Sequence, residues 1–196
     1  MELKECVISR RSIRKYKPDP ISHETLQELI DGAVTAPSGV NLQPWYFVVL
    51  ESKEAVDAYR DLMRRSAGNF RAHLEERFPS RPDVVESTLE YMATMGGAPV
   101  IVLAFLYKPY PNDGDASNAN LISVSAAIEN LLLLAWNKGI GSCCMTAPYT
   151  MGLVPELEQT YAPDKGHFVA AVSLGYPAEE PTAPRRKAVS DLLVIK

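Results

Sequence analysis

What this chain has little of narrows its class first. Its 196 residues hold three cysteines, Cys6, Cys143 and Cys144. Two are adjacent, no C-x-x-C pair exists, and an odd count without a framework excludes a disulfide-stapled secreted scaffold. The three histidines, His23, His73 and His167, stand far apart, without the spacing of a metal site, and no metal is expected. Asp113-Gly114-Asp115-Ala116-Ser117 opens like a calcium loop but is not followed by glycine at the sixth position or an acid at the twelfth. Neither G-x-x-x-x-G-K-[ST] nor G-x-G-x-x-G occurs, which excludes the two common glycine-rich phosphate loops. No uninterrupted apolar run reaches the ~18 residues of a membrane span, and Met1-Glu2-Leu3-Lys4-Glu5 has no apolar signal core. The expectation is a cytoplasmic protein. A net charge of −4, from 20 basic and 24 acidic side chains, gives no global attraction to nucleic acid or to an anionic membrane. Lysine is absent between Lys53 and Lys108.

What is present is enough for a core. With 46% hydrophobic residues, residues 1–196 are expected to form a single domain. Leu26, Leu29, Ile30, Ala33 and Val34 share one helical face, with Ser22 placed to cap it and Pro37 beyond its end. Trp45–Leu50 and Pro99–Tyr107 are predicted as buried strands. Val56, Tyr59 and Met63 predict a helix from about Lys53. From Arg64 to Arg81 the pattern is least regular and predicts helical pieces and loop, part of a mobile flap over about 64–98. Tyr110–Ser117 is turn-rich. Asn118–Lys138 is the longest helix signal, apolar nearly all round, with Gly139 as its C-cap. Ile140–Thr146 and His167–Leu174 predict two more strands, and Pro155 the first turn of a short helix. Helices and strands interleave without strict alternation, which favours an α+β sheet.

Two stretches carry chemistry. Arg10-Arg11-Ser12-Ile13-Arg14 packs three guanidinium groups and a hydroxyl into five residues, and the arginine fork matches phosphate oxygens. On a helix Arg10 and Arg14 share a face and Arg11 does not, unless the helix ends there and the chain turns. The competing reading is a solvated basic helix end. Pro37-Ser38-Gly39-Val40-Asn41-Leu42-Gln43-Pro44-Trp45 is a small-residue turn into an apolar strand. Gly39 permits close backbone approach, and the amides of Asn41 and Gln43 can read the polar edge of a ring; the bland alternative is a plain helix-to-strand connection. Together the stretches suit a ligand with a phosphate at one end and a flat ring at the other. Cys143 and Cys144 read as buried strand residues rather than nucleophiles.

Arg-Arg-Ser-x-Arg placed about 25 residues before Pro-Ser-Gly-x-Asn-x-Gln-Pro-Trp resembles the FMN-dependent nitroreductase family. So do Ser123–Leu134 followed by Gly139-Ile140-Gly141-Ser142, and Arg186-Lys187 before an apolar tail. The resemblance spans nearly the whole chain and is weakest over 52–98. It implies a nitroreductase-like α+β fold, with a central, mostly antiparallel sheet flanked by helices. It also implies an intertwined homodimer with FMN at two interface sites and a C-terminal arm, 184–196, reaching the partner. Arg10, Arg11 and Arg186 would hold the phosphate, with Arg185 and Lys187 as neighbouring candidates, and Ser12 phosphate or ribityl oxygens. Arg14 would face the N1/O2 edge of the ring, where reduced flavin carries negative charge. Pro37, Ser38, Gly39, Asn41 and Gln43 would come from the partner. The implied activity is ping-pong reduction of nitroaromatics, quinones or similar small flat electrophiles, with NADH or NADPH as reductant.

Met145-Thr146-Ala147-Pro148 adds a second implication. Thr146 resembles the threonine of the iodotyrosine deiodinase branch, whose hydroxyl approaches flavin N5 and supports one-electron steps such as reductive dehalogenation. Its competing reading is a strand-end cap. That branch grips an amino-acid zwitterion with a Glu, a Tyr and a Lys of its lid, and this chain offers arginines there (Arg64, Arg65, Arg71, Arg77, Arg81) but no lysine. A third possibility is an FMN-binding module without turnover.

Overall fold

Along one strand, β2 (Val100–Tyr107), apolar residues point alternately to opposite faces and feed two separate cores. Ile101, Leu103 and Phe105 join one cluster; Val100, Val102, Ala104 and Leu106 join the other. The protein is described here from a computed structural model covering residues 1–107 and 114–196, with 114–117 described as backbone only. The Tyr110–Ser117 turn and the calcium-like loop therefore lie largely outside the described residues. Four strands, β1 (Trp45–Leu50), β2, β3 (Gly141–Met145) and β4 (Gly166–Gly175), form one sheet in the order β1-β2-β4-β3. Every pairing is antiparallel. Val169 is the extra residue where the β2–β4 register shifts between Ala104 and Phe105, a bulge near the start of β4. β1 was expected to be buried. It is an edge strand, and only Leu50 is fully covered.

Helices cover both faces. α2 (His23–Ala33) and α5 (Gly114–Asn137) supply one core; α3 (Lys53–Arg77), α4 (Pro82–Thr94), α6 (Ala147–Thr150) and α7 (Val154–Tyr161) close the other. Ser22 caps α2 by accepting from the Thr25 N–H at 3.2 Å, and α7 starts with proline in its first turn. Burying each large apolar side chain in these layers contributes about 1.5–3 kcal/mol.

The expectation of irregular structure from Arg64 is overturned: α3 runs unbroken to Arg77 and α4 follows after Pro82. Val56, Tyr59, Met63, Phe70 and Leu74 keep one buried stripe. The crowded charges between them pair along the helix, as in Arg64–Asp61 and Arg71–Glu75. Such i,i+3 and i,i+4 pairs support a helix rather than break it.

α5 begins at Gly114 rather than Asn118 and ends as expected, with Gly139 at φ +75 and its N–H on the Trp136 carbonyl at 2.9 Å. By length and composition alone, Asn118–Asn137 could cross a membrane. Here Val124, Ile128, Leu131 and Ala135 bury it against the sheet and α2. It is not covered all round, because Leu121 and Ile122 are 43% and 70% exposed. Short α1 (Leu3–Ser9) packs against α5. The C-terminal residues Leu192–Ile195 form no strand within the protomer and are exposed.

Candidate cofactor site

α1 ends at Ser9, and Arg10 turns the chain into extended backbone at φ −54, ψ 134. The arginine cluster therefore lies on a strand-like segment, not on a helix. Ile13 donates its N–H to the Ser142 carbonyl at 2.9 Å, and Tyr16 donates to the Gly96 carbonyl at 2.9 Å. With Ile13 pinned inward at 1% exposure, the alternation of extended backbone turns Ser12 and Arg14 outward. Arg10, Arg11, Ser12 and Arg14 then line one cavity of about 310 Å³, closed by Pro181, Thr182, Pro184 and Arg186 of the C-terminal segment. Arg186 thus joins the N-terminal arginines from the far end of the chain; Arg185 and Lys187 do not line this cavity.

Four guanidinium groups in one hole of an acidic protein call for an anion. Arg10 Nε lies 3.5 Å from Glu129 Oε1, a partly exposed pair worth about 1 kcal/mol. Arg11 donates to the carbonyls of Ile8 at 2.7 Å and Arg10 at 2.8 Å, so part of its donor fork closes the C-terminal end of α1. Among the described residues no carboxylate pairs with the guanidinium of Arg14 or Arg186. The donor set fits a phosphate group.

A second cavity of about 660 Å³ shares Arg14 and Pro181 with the first. Phe70, Leu74 and Phe78 of the α3 end and Tyr91 and Met92 of α4 form its apolar wall; Cys143 to Ala147 form its floor. A third hollow, about 500 Å³ and lined by Leu121, Ile128, Leu132 and Tyr149, meets the second at Cys144 and Thr146. Thr146 stands at the N-cap position of α6, yet its side chain caps nothing. Thr146 is exposed and lines both cavities. Beneath the floor a buried network ties three elements together: Tyr16 and Tyr91 hydroxyls meet Ser173 Oγ at 2.7 and 2.8 Å.

The second predicted stretch is elsewhere. Pro37, Ser38, Gly39, Asn41 and Gln43 precede β1, one edge of the sheet, while Ser12 bridges to Ser142 on β3, the other edge. Three strand spacings, about 14 Å, separate those edges. None of the five lines the arginine cavity in the same chain. The turn is held by Ser38 Oγ, which accepts from the Gln43 N–H at 3.0 Å. Val40, Asn41 and Gln43 sit at φ 44, 59 and 51, a left-handed conformation that is strained for a β-branched residue.

Against known proteins, the model of the nitroreductase family matches residues 7–176. The chain belongs to the nitroreductase family. Among its relatives, the NADH dehydrogenase of Thermus thermophilus is 29% identical over 192 residues, covering 92% of this chain and 89% of that protein. Iodotyrosine deiodinase 1 of Mus musculus is 28% identical over 206 residues, covering 98% of this chain and 69% of that one. The crystal structure of a BluB-like flavoprotein from Clostridium difficile 630 superposes with a TM-score of 0.76 at 25% identity, covering 100% of this chain and 99% of that one.

The nitroreductase match stops short of the segment that brings Arg186 to the cavity. Two other features of the site escaped the sequence. Gly96 approaches the Arg14 carbonyl so closely that an added Cβ would lie 1.9 Å from it. Glu179 accepts from the Arg14 backbone N–H. Neither carries a local pattern, since both matter only through contacts made across the fold. Cys143 is buried as expected, but Cys144 opens to solvent at the cavity floor. Its surroundings still penalise a thiolate: burial, then Cys143 and Glu129, push the thiol up to about 11, so it is neutral near pH 7 and a poor nucleophile. Among the described residues no group of three or more metal-ligating side chains is gathered in one place.

Proposed function

We propose that this nitroreductase-family protein is an FMN-dependent NAD(P)H oxidoreductase that reduces nitroaromatics, quinones or similar flat electrophiles by a ping-pong mechanism. The observation that carries the proposal is the convergence of Arg10, Arg11, Ser12, Arg14 and Arg186 on one cavity of a chain with net charge −4. Arg10, Arg11 and Arg186 hold the phosphate of FMN, and Ser12 supplies a hydroxyl to phosphate or ribityl oxygens. When bound, FMN accepts two electrons from a nicotinamide and passes them to the second substrate. Arg14, between the phosphate cavity and the larger chamber, holds a fixed cation against the ring edge on which reduction places negative charge. The apolar wall of Phe70, Phe78 and Met92 excludes water and accepts a flat molecule. The chain forms a homodimer in which Pro37, Ser38, Gly39, Asn41 and Gln43 of one protomer cover the ring held by the other. The distance between the two half-sites within one protomer supports that arrangement. A reducing cytoplasm suits its three free cysteines.

The test is anaerobic spectroscopy of the FMN-reconstituted protein, with NADH and NADPH tried separately. Bleaching by a nicotinamide and recovery on adding a nitroaromatic or quinone is the expected result. A chain that binds no FMN overturns the proposal; one that binds FMN but consumes no NAD(P)H in the steady state is a binding module instead. Arg14→Ala should weaken FMN binding by roughly 10- to 100-fold, the worth of a charged hydrogen bond. It should also lower the flavin potential by about 30 mV for each 1.4 kcal/mol of lost preference for the reduced form. An unchanged potential removes the electrostatic role.

A second reading is favoured by Thr146, whose side chain does not cap α6 and which lines both cavities where they meet, and by the deiodinases among the relatives. It is reductive dehalogenation by one-electron steps. Release of halide from a halogenated phenol, lost in Thr146→Ala, would support it; absence of halide release would exclude it.

A further inference from the structure

Four hydrogen bonds lash the segment that carries Arg14 to its neighbours. On one side Tyr16 donates to the Gly96 carbonyl at 2.9 Å. On the other, Lys17 donates to the Tyr176 carbonyl and Ala178 donates to the Lys15 carbonyl, both at 2.9 Å, around an isolated antiparallel bridge between Tyr16 and Pro177. This short ladder ends at Ala178, and one residue further out the Arg14 N–H donates to the Glu179 carboxylate, at 2.5 Å. Just beyond Glu179 the chain enters the arginine cavity through Pro181, Thr182 and Pro184, delivering Arg186.

We propose that Glu179 is a positioning residue: its carboxylate fixes the Arg14 backbone and, in the same contact, fastens the start of the segment that brings Arg186 to the cavity. A hydrogen bond to a charged acceptor is stronger than the neutral ladder bonds beside it. One end of the contact is the backbone of Arg14; the other lies two residues before the segment that lines the arginine cavity. Without this contact, Arg14 and the segment leading to Arg186 lose a shared anchor. Pro177, Pro181 and Pro184 limit how else the segment can pair, because none has an N–H to donate. Glu179 lies outside the part of the chain matched by the family model, which ends at residue 176. The role rests on the FMN assignment for its consequence, but not for its geometry.

The experiment compares Glu179→Ala and Glu179→Gln with the parent by amide hydrogen exchange of the FMN-free protein and by FMN fluorescence titration. Glutamine keeps an acceptor oxygen, so it should restore what alanine loses. In Glu179→Ala the Arg14 amide should exchange at least about tenfold faster, and FMN affinity should fall about tenfold. Glu179→Gln should recover most of both. An Arg14 amide equally protected in Glu179→Ala, or a glutamine variant no better than alanine, overturns the proposal. If the parent binds no FMN, the cofactor assignment fails while the exchange measurement still decides the role of Glu179.

Discussion

A Cβ on Gly96 would lie 1.9 Å from the Arg14 carbonyl oxygen, and the backbone there is left-handed at φ +60. Position 96 is therefore closed to any L side chain on two counts. Gly96→Ala must push the Arg14 segment away or abandon its own conformation, at a cost of about 1–3 kcal/mol. The expected outcome is a lower melting temperature together with FMN affinity reduced at least about tenfold, since one residue's displacement reaches Arg14 directly. Thermal unfolding and fluorescence titration check it; parental affinity in a folded variant would show that Arg14 does not depend on this contact. The arginines were legible in the sequence because guanidinium groups crowded into five residues have few uses. Gly96 was not, because its requirement comes from a segment some eighty positions away. Glu179 was hidden for the same reason. Strain was hidden as well: nothing local announces that Val40 is left-handed while 93% exposed.

Between elements, the contact most open to measurement is the one joining α4, β4 and the segment before α2. Tyr91 and Tyr16 meet at Ser173, and burial drives both hydroxyls well above their ordinary value; the same holds for Tyr59 of α3, buried beside the ring of Tyr161. The neutral phenol is thus favoured in the folded state, while an unfolded tyrosine ionises near pH 10. Stability is complete below about pH 10 and falls as the pH rises beyond it, by up to about 1.4 kcal/mol per pH unit for each tyrosine held neutral. In an alkaline titration, the tyrosinate absorbance of these residues should appear together with loss of helical circular dichroism. Ionisation of all nine tyrosines near pH 10 with the helices intact would contradict the burial. At this scale the sequence was more informative. Strands Pro99–Tyr107 and His167–Leu174 were legible from their apolar runs, and α2 from its stripe and Ser22 cap. α3 was misread because its arginines were weighed as flap chemistry, when their spacing to Asp61 and Glu75 supports a helix. β1 and the exposed face of α5 were misjudged for another reason: apolar runs do not say which neighbour covers them.

For the molecule as a whole, the proposed homodimer would draw on two features, the uncovered apolar surface and the separation of the arginine cavity from the Pro37–Gln43 turn. Leu3, Val7 and Ile8 of α1 and Leu121 and Ile122 of α5 are exposed, and the apolar hollow at Leu121 and Tyr149 opens beside Thr146. Where such side chains form one contiguous patch, that patch suits an interaction surface. The arginine cavity borders β3 at one sheet edge, and the Pro37–Gln43 turn leads into β1 at the other. A two-fold interface repeats every contact, so one pairing would give each arginine cavity the turn of the other protomer, and two complete sites would form at once. Ile122→Glu tests this without threatening the protomer, because residue 122 is already 70% exposed there. In a dimer the same carboxylate would be buried without a partner, a penalty of several kcal/mol. The variant should sediment as a folded monomer and lose FMN affinity together with its dimer. A monomer binding FMN as tightly as the parent would sink the shared site. A dimer with parental affinity would mean that the interface lies away from this face of α5.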